Sequence, residues 1–307
     1  MKSRKDSWAV PERPEKAVYR GRFAPSPTGL LHAGSLLTAL ASWLDARTSD
    51  GIWLLRMEDL DPPRESKEAA DGILFALDAL HLHWNGPVLY QSQRIEAYQD
   101  ALATLVAKDR IFPCTCSRQD FGNDSRIYPG TCRERLIQPD QAHALRCRVD
   151  DRVISVEDRL QGHYSQNLIR DTGDFVIKRK DGLFAYQLAV VVDDAMQGIT
   201  DIVRGIDLLD STPRQLFLQE LLDCSQPRYA HLPVLVDKDG NKFSKQQGAA
   251  PVDVTRPAEA LFKALVQLQQ EPPDELLTAP TQDILQWAVN AWNPGALNNQ
   301  TSLREIS

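Results

Sequence analysis

Hydrophobic positions along the chain alternate between two spacings, and the alternation predicts an α/β architecture built on a parallel sheet. Ala17-Val18-Tyr19-Arg20-Gly21-Arg22-Phe23-Ala24 reads as a first strand, closed by Pro25 and Pro27. A helix follows from Leu31 to Arg47, with Leu36, Leu40, Trp43 and Leu44 on one stripe. Ile52 to Met57 is a short apolar run of the kind a buried parallel strand shows. Ser66-Lys67-Glu68-Ala69 opens a second helix whose apolar side carries Leu74, Leu77 and Leu80. A third spans Ser92 to Lys108, with Ile95, Tyr98, Leu102 and Leu105 stepping by three or four. The rhythm breaks over 110–172, where Arg, Asp and Gln dominate, and returns at Asp174-Phe175-Val176-Ile177-Lys178. It continues through Phe184–Val192 and Ile202-Val203-Arg204, a helix near Pro213–Leu222, and a strand His231–Val236 ended by a turn at Asp239-Gly240. After Pro251 the spacing is helical, from Pro257 through Leu268 and again near Asp283–Trp292. The expected division is an arm over 1–17, a first half-core over 18–109, an insertion over 110–172, a second half-core over 173–250 and a helical tail over 251–307.

Composition narrows the class. The 307 residues are 42% hydrophobic and 25% charged, a globular balance that excludes a disordered or collagen-like chain. Thirty-five Lys and Arg against 42 Asp and Glu leave a formal net charge of −7, so no global basic footprint points to nucleic acid. A basic face remains open locally. No apolar run approaches the ~18 residues a membrane helix needs. The start, Met1-Lys2-Ser3-Arg4-Lys5-Asp6, lacks the apolar stretch of a signal peptide, so the cytoplasm is the expected location. Five cysteines are too few for a disulfide scaffold. Cys114, Cys116 and Cys132 fall within nineteen positions and suggest a metal, whereas Cys147 and Cys224 read as ordinary half-buried thiols.

The stretch from Arg22 to Ser35 carries the most chemistry. It joins a strand end, a proline-stiffened turn and a helix start bracketed by Gly29 and Gly34. Such a helix start offers free N–H groups and a positive dipole end to an anion. The two glycines let a nucleotide approach the backbone, and His32 can donate a hydrogen bond to a phosphate. Gly29-x₄-Gly34 has the spacing of a P-loop, but Ser35 stands where that motif needs Lys, and no G-x-G-x-x-G is present. A plain strand–turn–helix join with a surface histidine is the alternative. Lys242-Phe243-Ser244-Lys245-Gln246 supplies a second motif, with two flexible point charges three positions apart.

Together these motifs resemble the class I aminoacyl-tRNA synthetases, and within them the glutamyl branch. His32-Ala33-Gly34-Ser35 is similar to the HIGH signature and Lys242 to Gln246 to KMSKS, while Arg22 to Gly29 repeats the glutamyl-type RFAPSPTG. Arg56-Met57-Glu58-Asp59-Leu60-Asp61 resembles the glutamyl RIEDTD. Tyr186, Val192-Asp193-Asp194, Val203-Arg204-Gly205 and Ser211-Thr212-Pro213-Arg214 extend the resemblance over roughly residues 18–250. Two departures matter. Ser35 replaces the second histidine of HIGH, and only 62 residues follow Lys245, too few for the anticodon-reading domains of ordinary glutamyl enzymes. That combination resembles the glutamyl-queuosine tRNA(Asp) synthetases, a family reduced to the catalytic core.

The resemblance implies a Rossmann-type class I core with a zinc-bearing insertion and a short helical C-terminal region. It implies ATP-dependent activation of L-glutamate and transfer to queuosine in the anticodon loop of tRNA(Asp), with Mg²⁺ accompanying ATP. His32 and Lys245 take the catalytic positions, and His32, Gly34, Ser35, Lys242, Ser244 and Lys245 take ATP. Arg22, Phe23, Ala24, Pro25, Ser26, Glu58, Tyr186 and Arg204 surround glutamate, with Val190 where ordinary glutamyl enzymes usually have Asn. Glu58 can accept the ammonium group, and the forks of Arg22 and Arg204 suit carboxylates. A buried arginine facing a neutral amide loses its ion pair, which rejects glutamine. The alternative for Glu58 and Arg204 is a structural ion pair at the sheet end, and Asp193 and Asp194 are expected to be structural.

Three thiolates need a fourth ligand, and residue chemistry leaves Tyr128, His143 and Asp124 open, with histidine the commoner choice. The resemblance implies Tyr128, in Cys-x-Cys-x₁₁-Tyr-x₃-Cys, and one structural Zn²⁺. Arg118, Arg126, Arg133, Arg135, Arg146, Arg148 and Arg152 make the insertion locally basic, which suits an RNA backbone. His81, His83, His143, His163 and His231 show no partner pattern and are expected at the surface or in the core. No membrane partner is expected, and a monomer is the default. The rival readings are a shortened glutamyl-tRNA synthetase that charges the 3′ end and a non-catalytic RNA-binding paralogue.

Overall fold

The computed structural model describes residues 18–117, 120, 127–136, 141–237, 240 and 250–304. The 1–17 arm, Arg118, Asp124, Arg126, Asp239, Lys242, Ser244 and Lys245 lie outside the described residues. Gly240, the other half of the expected turn, has φ +82, a left-handed conformation that favours glycine.

β1 (Arg20–Phe23), α1 (Ala33–Arg47) and β2 (Ile52–Met57) form a strand–helix–strand crossover. The two strands pair in parallel, Arg20 opposite Ile52 and Phe23 opposite Leu55. α2 (Lys67–Ala79) is capped by Ser66, whose hydroxyl accepts from the Ala69 N–H at 3.1 Å. It leads to β3 (Leu89–Tyr90), which joins the sheet parallel to β2. α3 (Ile95–Ala107) buries Tyr98, Ala101 and Leu105 and leaves Ile95 exposed.

The inserted segment holds β4 (Ile111–Cys114), β5 (Ala144–Cys147), β6 (Val153–Asp158), β7 (Gly162–Asn167) and the short α4 (Leu168–Asp171). β8 (Phe175–Lys178) has the strand period expected of it, but it pairs antiparallel with β5 in a β4-β5-β8 sheet. The β6–β7 hairpin does the opposite and packs Val156 against Ile202, Leu216 and Tyr229. A period of two identifies a strand without naming its partner, so the hydrogen-bonded boundary differs from the one the rhythm suggests.

α5 (Tyr186–Met196), β9 (Asp201–Gly205), α6 (Thr212–Leu221) and β10 (Arg228–Leu232) rebuild the α/β pattern. β9 and β10 are parallel, and Thr200, just before β9, donates its N–H to the Arg20 carbonyl at 2.9 Å. The expected strand His231–Val236 is interrupted at Pro233, which has no N–H to donate, and resumes as β11 (Val234–Val236). α7 (Pro257–Gln267) and α8 (Thr281–Ala291) follow, and β12 (Ser302–Arg304) then pairs in parallel with β11. The tail is therefore not purely helical, since a three-residue strand is too short to show a period. Leu261, Leu265, Ile284 and Leu285 from the tail share one core with Leu36, Leu40 and Leu44 of α1. This second cover explains why α1 is buried nearly all round rather than along a single stripe. No described helix is long and apolar enough to cross a membrane.

Candidate active site

A cleft of about 430 Å³ opens where the carboxyl ends of β1, β2 and β9 meet the starts of α1 and α5. Open α/β sheets place ligands at such strand ends. Arg22, Phe23, Ala24, Pro25, Ser26, Glu58, Tyr186 and Arg204 all line it, as do His32, Gly34 and Ser35. Positions scattered over almost 200 residues of sequence thus face one space.

His32 caps α1: in the neutral ring Nδ1 accepts from the Ser35 N–H at 3.4 Å and Nε2 donates to Ser35 Oγ at 2.9 Å. Ser35, the departure from HIGH, is what holds the imidazole across the first turn. A Cβ on Gly34 would lie 3.3 Å from His32 Cε1, so glycine leaves room for that ring. His32 also forms an antiparallel bridge to Pro251, and the Val252 N–H donates to the Leu31 carbonyl at 2.8 Å. Leu235, on the other flank of the segment bearing Lys242 and Lys245, lies in the cleft wall.

Three buried guanidinium groups stand at or behind the cleft. Arg22 Nε is 3.2 Å from Asp194 Oδ1, and Arg56 Nη1 is 2.8 Å from the same oxygen. Arg56 Nη2 also reaches Glu58 Oε1 at 3.3 Å. Burial pushes the Asp194 carboxyl up, but the Arg22 and Arg56 charges outweigh it and hold the group below its ordinary value. At Glu58 the balance reverses: burial raises the carboxyl more than Arg56 and Arg22 lower it.

Arg204, 3% exposed, is held differently. Nε donates to His231 Nε2 at 3.0 Å, Nη1 to Gln215 Oε1 at 2.8 Å and Nη2 to Thr212 Oγ1 at 2.9 Å. Two longer contacts, both 3.4 Å, run to Tyr186 Oη and the Leu208 carbonyl, groups of residues that line the cleft. All five partners are uncharged. The expected alternative, a structural ion pair joining Glu58 and Arg204, is not what forms, because Glu58 pairs with Arg56. Asp207 lies at the exposed rim.

His231 and Asp158 were not foreseen as parts of this site. His231 is fully buried, its Nδ1 2.6 Å from Asp158 Oδ2. Burial lowers its basicity, the Asp158 hydrogen bond opposes this, and the Arg204 charge adds to the lowering. Its partners are 27 and 73 positions away, so no local spacing could have shown the arrangement. Asp193, by contrast, accepts from Gln91 Nε2 at 2.9 Å and Tyr98 Oη at 2.7 Å and ties α5 to α3.

In the insertion, the sulfur atoms of Cys114, Cys116 and Cys132 lie within 4.8 Å of one another, a cluster that can hold a metal ion. Tyr128 Oη is 3.5 Å from Cys114 Sγ, and the Arg146 guanidinium lies 4.0 Å from the Tyr128 ring centroid. Gly173 has φ +70, and a Cβ there would sit 2.4 Å from the Tyr128 carbonyl, so glycine admits the tyrosine backbone. His143 is outside the cluster, with Nδ1 2.7 Å from the Gln141 carbonyl. The basic residues of this segment are largely engaged internally. Arg133 pairs with Asp174 at 2.7 Å, Arg146 donates to the Asp174 carbonyl at 2.7 Å, Arg148 pairs with Glu134 at 3.0 Å and Arg152 with Glu220 at 2.9 Å. Arg135 is exposed.

The family model for the catalytic domain of class I tRNA synthetases (E and Q) matches residues 18–268. The chain is 51% identical over 287 residues to a Glutamyl-Q tRNA(Asp) synthetase of Pseudomonas putida, covering 94% of this chain and 95% of that one. It is 49% identical over 288 residues to a protein of the same description from Ectopseudomonas mendocina, covering 94% and 98%. A crystal structure of a glutamate tRNA ligase from Elizabethkingia meningosepticum, in complex with its amino acid, shares the fold with a TM-score of 0.78 at 23% identity, over 94% of this chain and 67% of that one.

Proposed function

The chain belongs to the glutamyl-Q tRNA(Asp) synthetase family of class I synthetases, and on that premise we propose that it activates L-glutamate with ATP and transfers the glutamyl group to queuosine in the anticodon loop of tRNA(Asp). Arg204 carries the glutamate reading. A buried charge is costly unless it is paired, and none of the groups that Arg204 contacts directly carries a counter-charge. Glutamate, with two carboxylates and one ammonium, brings one net negative charge. Glutamine brings none. Glu58 receives the ammonium group, and Arg22 and Arg204 receive carboxylates.

In the first step a carboxylate oxygen of glutamate bonds to the α-phosphorus of ATP, and the bond to pyrophosphate breaks. Charge develops on phosphoryl oxygens, so catalysis is positioning plus cationic stabilisation. The N-terminus of α1 at Gly34 and Ser35, together with His32, takes the phosphates from one side. Lys245, supported by Lys242 and Ser244, supplies charge from the other motif, and Mg²⁺ accompanies ATP. In the second step a hydroxyl of queuosine attacks the activated carbonyl and AMP leaves. A reaction on ATP and tRNA suits the cytoplasm as its location.

The three sulfurs and the Tyr128 oxygen have spacings that suit Zn²⁺, since ligands on a tetrahedron with bonds of about 2.3 Å stand about 3.8 Å apart. Cys114, Cys116, Tyr128 and Cys132 would hold the ion and fill its coordination, which makes it structural. Metal analysis of purified protein is expected to give one zinc per chain, and Cys132→Ser to release it with loss of thermal stability.

The test of function is ATP–pyrophosphate exchange by purified protein without RNA. Exchange with glutamate but not glutamine is the expected result. Exchange only after tRNA is added would favour a shortened glutamyl-tRNA synthetase, and none in either condition would leave an RNA-binding paralogue. With labelled glutamate, trimming the 3′-terminal nucleotide should leave the label on tRNA(Asp).

A further inference from the structure

We propose that His231 is a positioning residue for Arg204, fixed in turn by Asp158 of the inserted hairpin, so that two N–H groups of the guanidinium stay directed at the substrate. The proposal rests on the reading of Arg204 as a carboxylate partner of glutamate. Arg204 has five N–H groups in one plane, and its three shorter contacts, to His231, Gln215 and Thr212, run to buried groups. The two 3.4 Å contacts, to Tyr186 and the Leu208 carbonyl, are the ones a carboxylate can take over. Holding Nε therefore sets which edge of the plane meets the cleft.

His231 can do this in only one form. Arginine donates and never accepts, so Nε2 must accept and Nδ1 must carry the proton that goes to Asp158. Asp158 is itself held by three backbone donors: Oδ1 accepts from the N–H groups of Leu160 at 3.0 Å, Gln161 at 2.9 Å and His231 at 3.1 Å. The Tyr229 ring stacks on the imidazole at 6.0 Å between centroids and 7° between planes. A neutral acceptor also has a consequence that a carboxylate would not: it orients the guanidinium without cancelling its charge. Asp194 does cancel charge at Arg22. The hairpin thus reaches across the core to tune selectivity for an anionic side chain.

Two variants separate positioning from mere packing. His231→Gln can extend an acceptor to Arg204, whereas His231→Asn is long enough only for Asp158. In ATP–pyrophosphate exchange, Asn is expected to raise the KM for glutamate at least tenfold and to lower glutamate-over-glutamine discrimination at least tenfold. Gln should change both less than threefold, and the KM for ATP should move less than twofold in either variant. Equal losses in the two variants, or equal rises in both KM values, would overturn the proposal. The full chain labelled with ¹⁵N-histidine supplies an independent readout. His231 should show the Nδ1-protonated tautomer at pH 8, in a site where Asp158, Arg204 and Arg22 act on it beside Tyr229 and Thr212. An Nε2-protonated or charged ring would overturn the geometry whatever Arg204 binds. If the wild type lacks glutamate-dependent exchange, the glutamate reading has failed, and the tautomer alone decides whether His231 holds Arg204.

Discussion

Arg22 and Arg204 end neighbouring strands, line the same cleft and are almost equally buried, yet they are held in opposite ways. Arg22 faces Asp194, a carboxylate it shares with Arg56. Arg204 is surrounded by an imidazole, an amide, two hydroxyls and a carbonyl. The first arrangement stabilises a charge within the fold. The second holds a charge in place and leaves its compensation to a ligand. The lesson is that burial and hydrogen bonding alone do not tell how far a cation is already compensated within the fold; the charge of its direct partners does.

The largest effect should come from Arg204→Gln, which removes the uncompensated charge and keeps much of the side-chain volume. Loss of a desolvated charge pair to substrate, about 4 kcal/mol, corresponds to roughly a thousandfold fall in kcat/KM for glutamate. The thermal midpoint should hold or rise, because an uncompensated buried charge has gone. Exchange kinetics and calorimetry on one preparation would check both. Asp194→Asn should behave in the reverse sense. It leaves Arg22 and Arg56 facing a neutral group, and urea titration should show about 3 kcal/mol lost. Were Arg204→Gln to cost more stability than Asp194→Asn, the contrast between the two arginines would collapse.

A smaller effect sharpens the comparison from the phosphate side. Gly34→Ala should displace the His32 ring and lower kcat about tenfold, with the KM for glutamate unchanged, since neither arginine moves. The smallest is a pH effect. The folded state holds His231 below its ordinary value of about 6.5, so the unfolded chain takes up protons first as pH falls, and stability declines by at most about 1.4 kcal/mol per pH unit. Asp194, Asp158 and Asp45, also depressed, add their losses only below about pH 4. Glu58, which is raised, works in the opposite direction because the folded state protonates it earlier. His231→Gln should therefore lose less stability than the wild type between pH 7 and 5.5, as read by denaturant midpoints. An equal loss would remove His231 as the source.

Much of this protein was legible in one dimension because its information is local. The Arg22–Ser35 stretch encodes a strand, a turn and a helix start within fourteen residues, and Ile52–Met57 declares a buried strand by its apolar run. The three cysteines announce by spacing a cluster that can hold a metal, and the ordered motifs mark the family. Other features depend on contacts that no spacing records. The pairing of Phe175–Lys178 with β5, the return of Ser302–Arg304 to β11 and the sealing of α1 by the tail are choices of partner among elements of the same period. The internal use of Arg133, Arg146, Arg148 and Arg152 is likewise invisible in a count of charges. The two arginines show the division most plainly. Sequence determined that guanidinium groups would stand at these strand ends, because strand position and residue type are local. Only the tertiary structure decided that Arg22 meets a carboxylate 172 positions away while Arg204 meets a neutral histidine fixed by Asp158, because electrostatics follows distance in space and not along the chain.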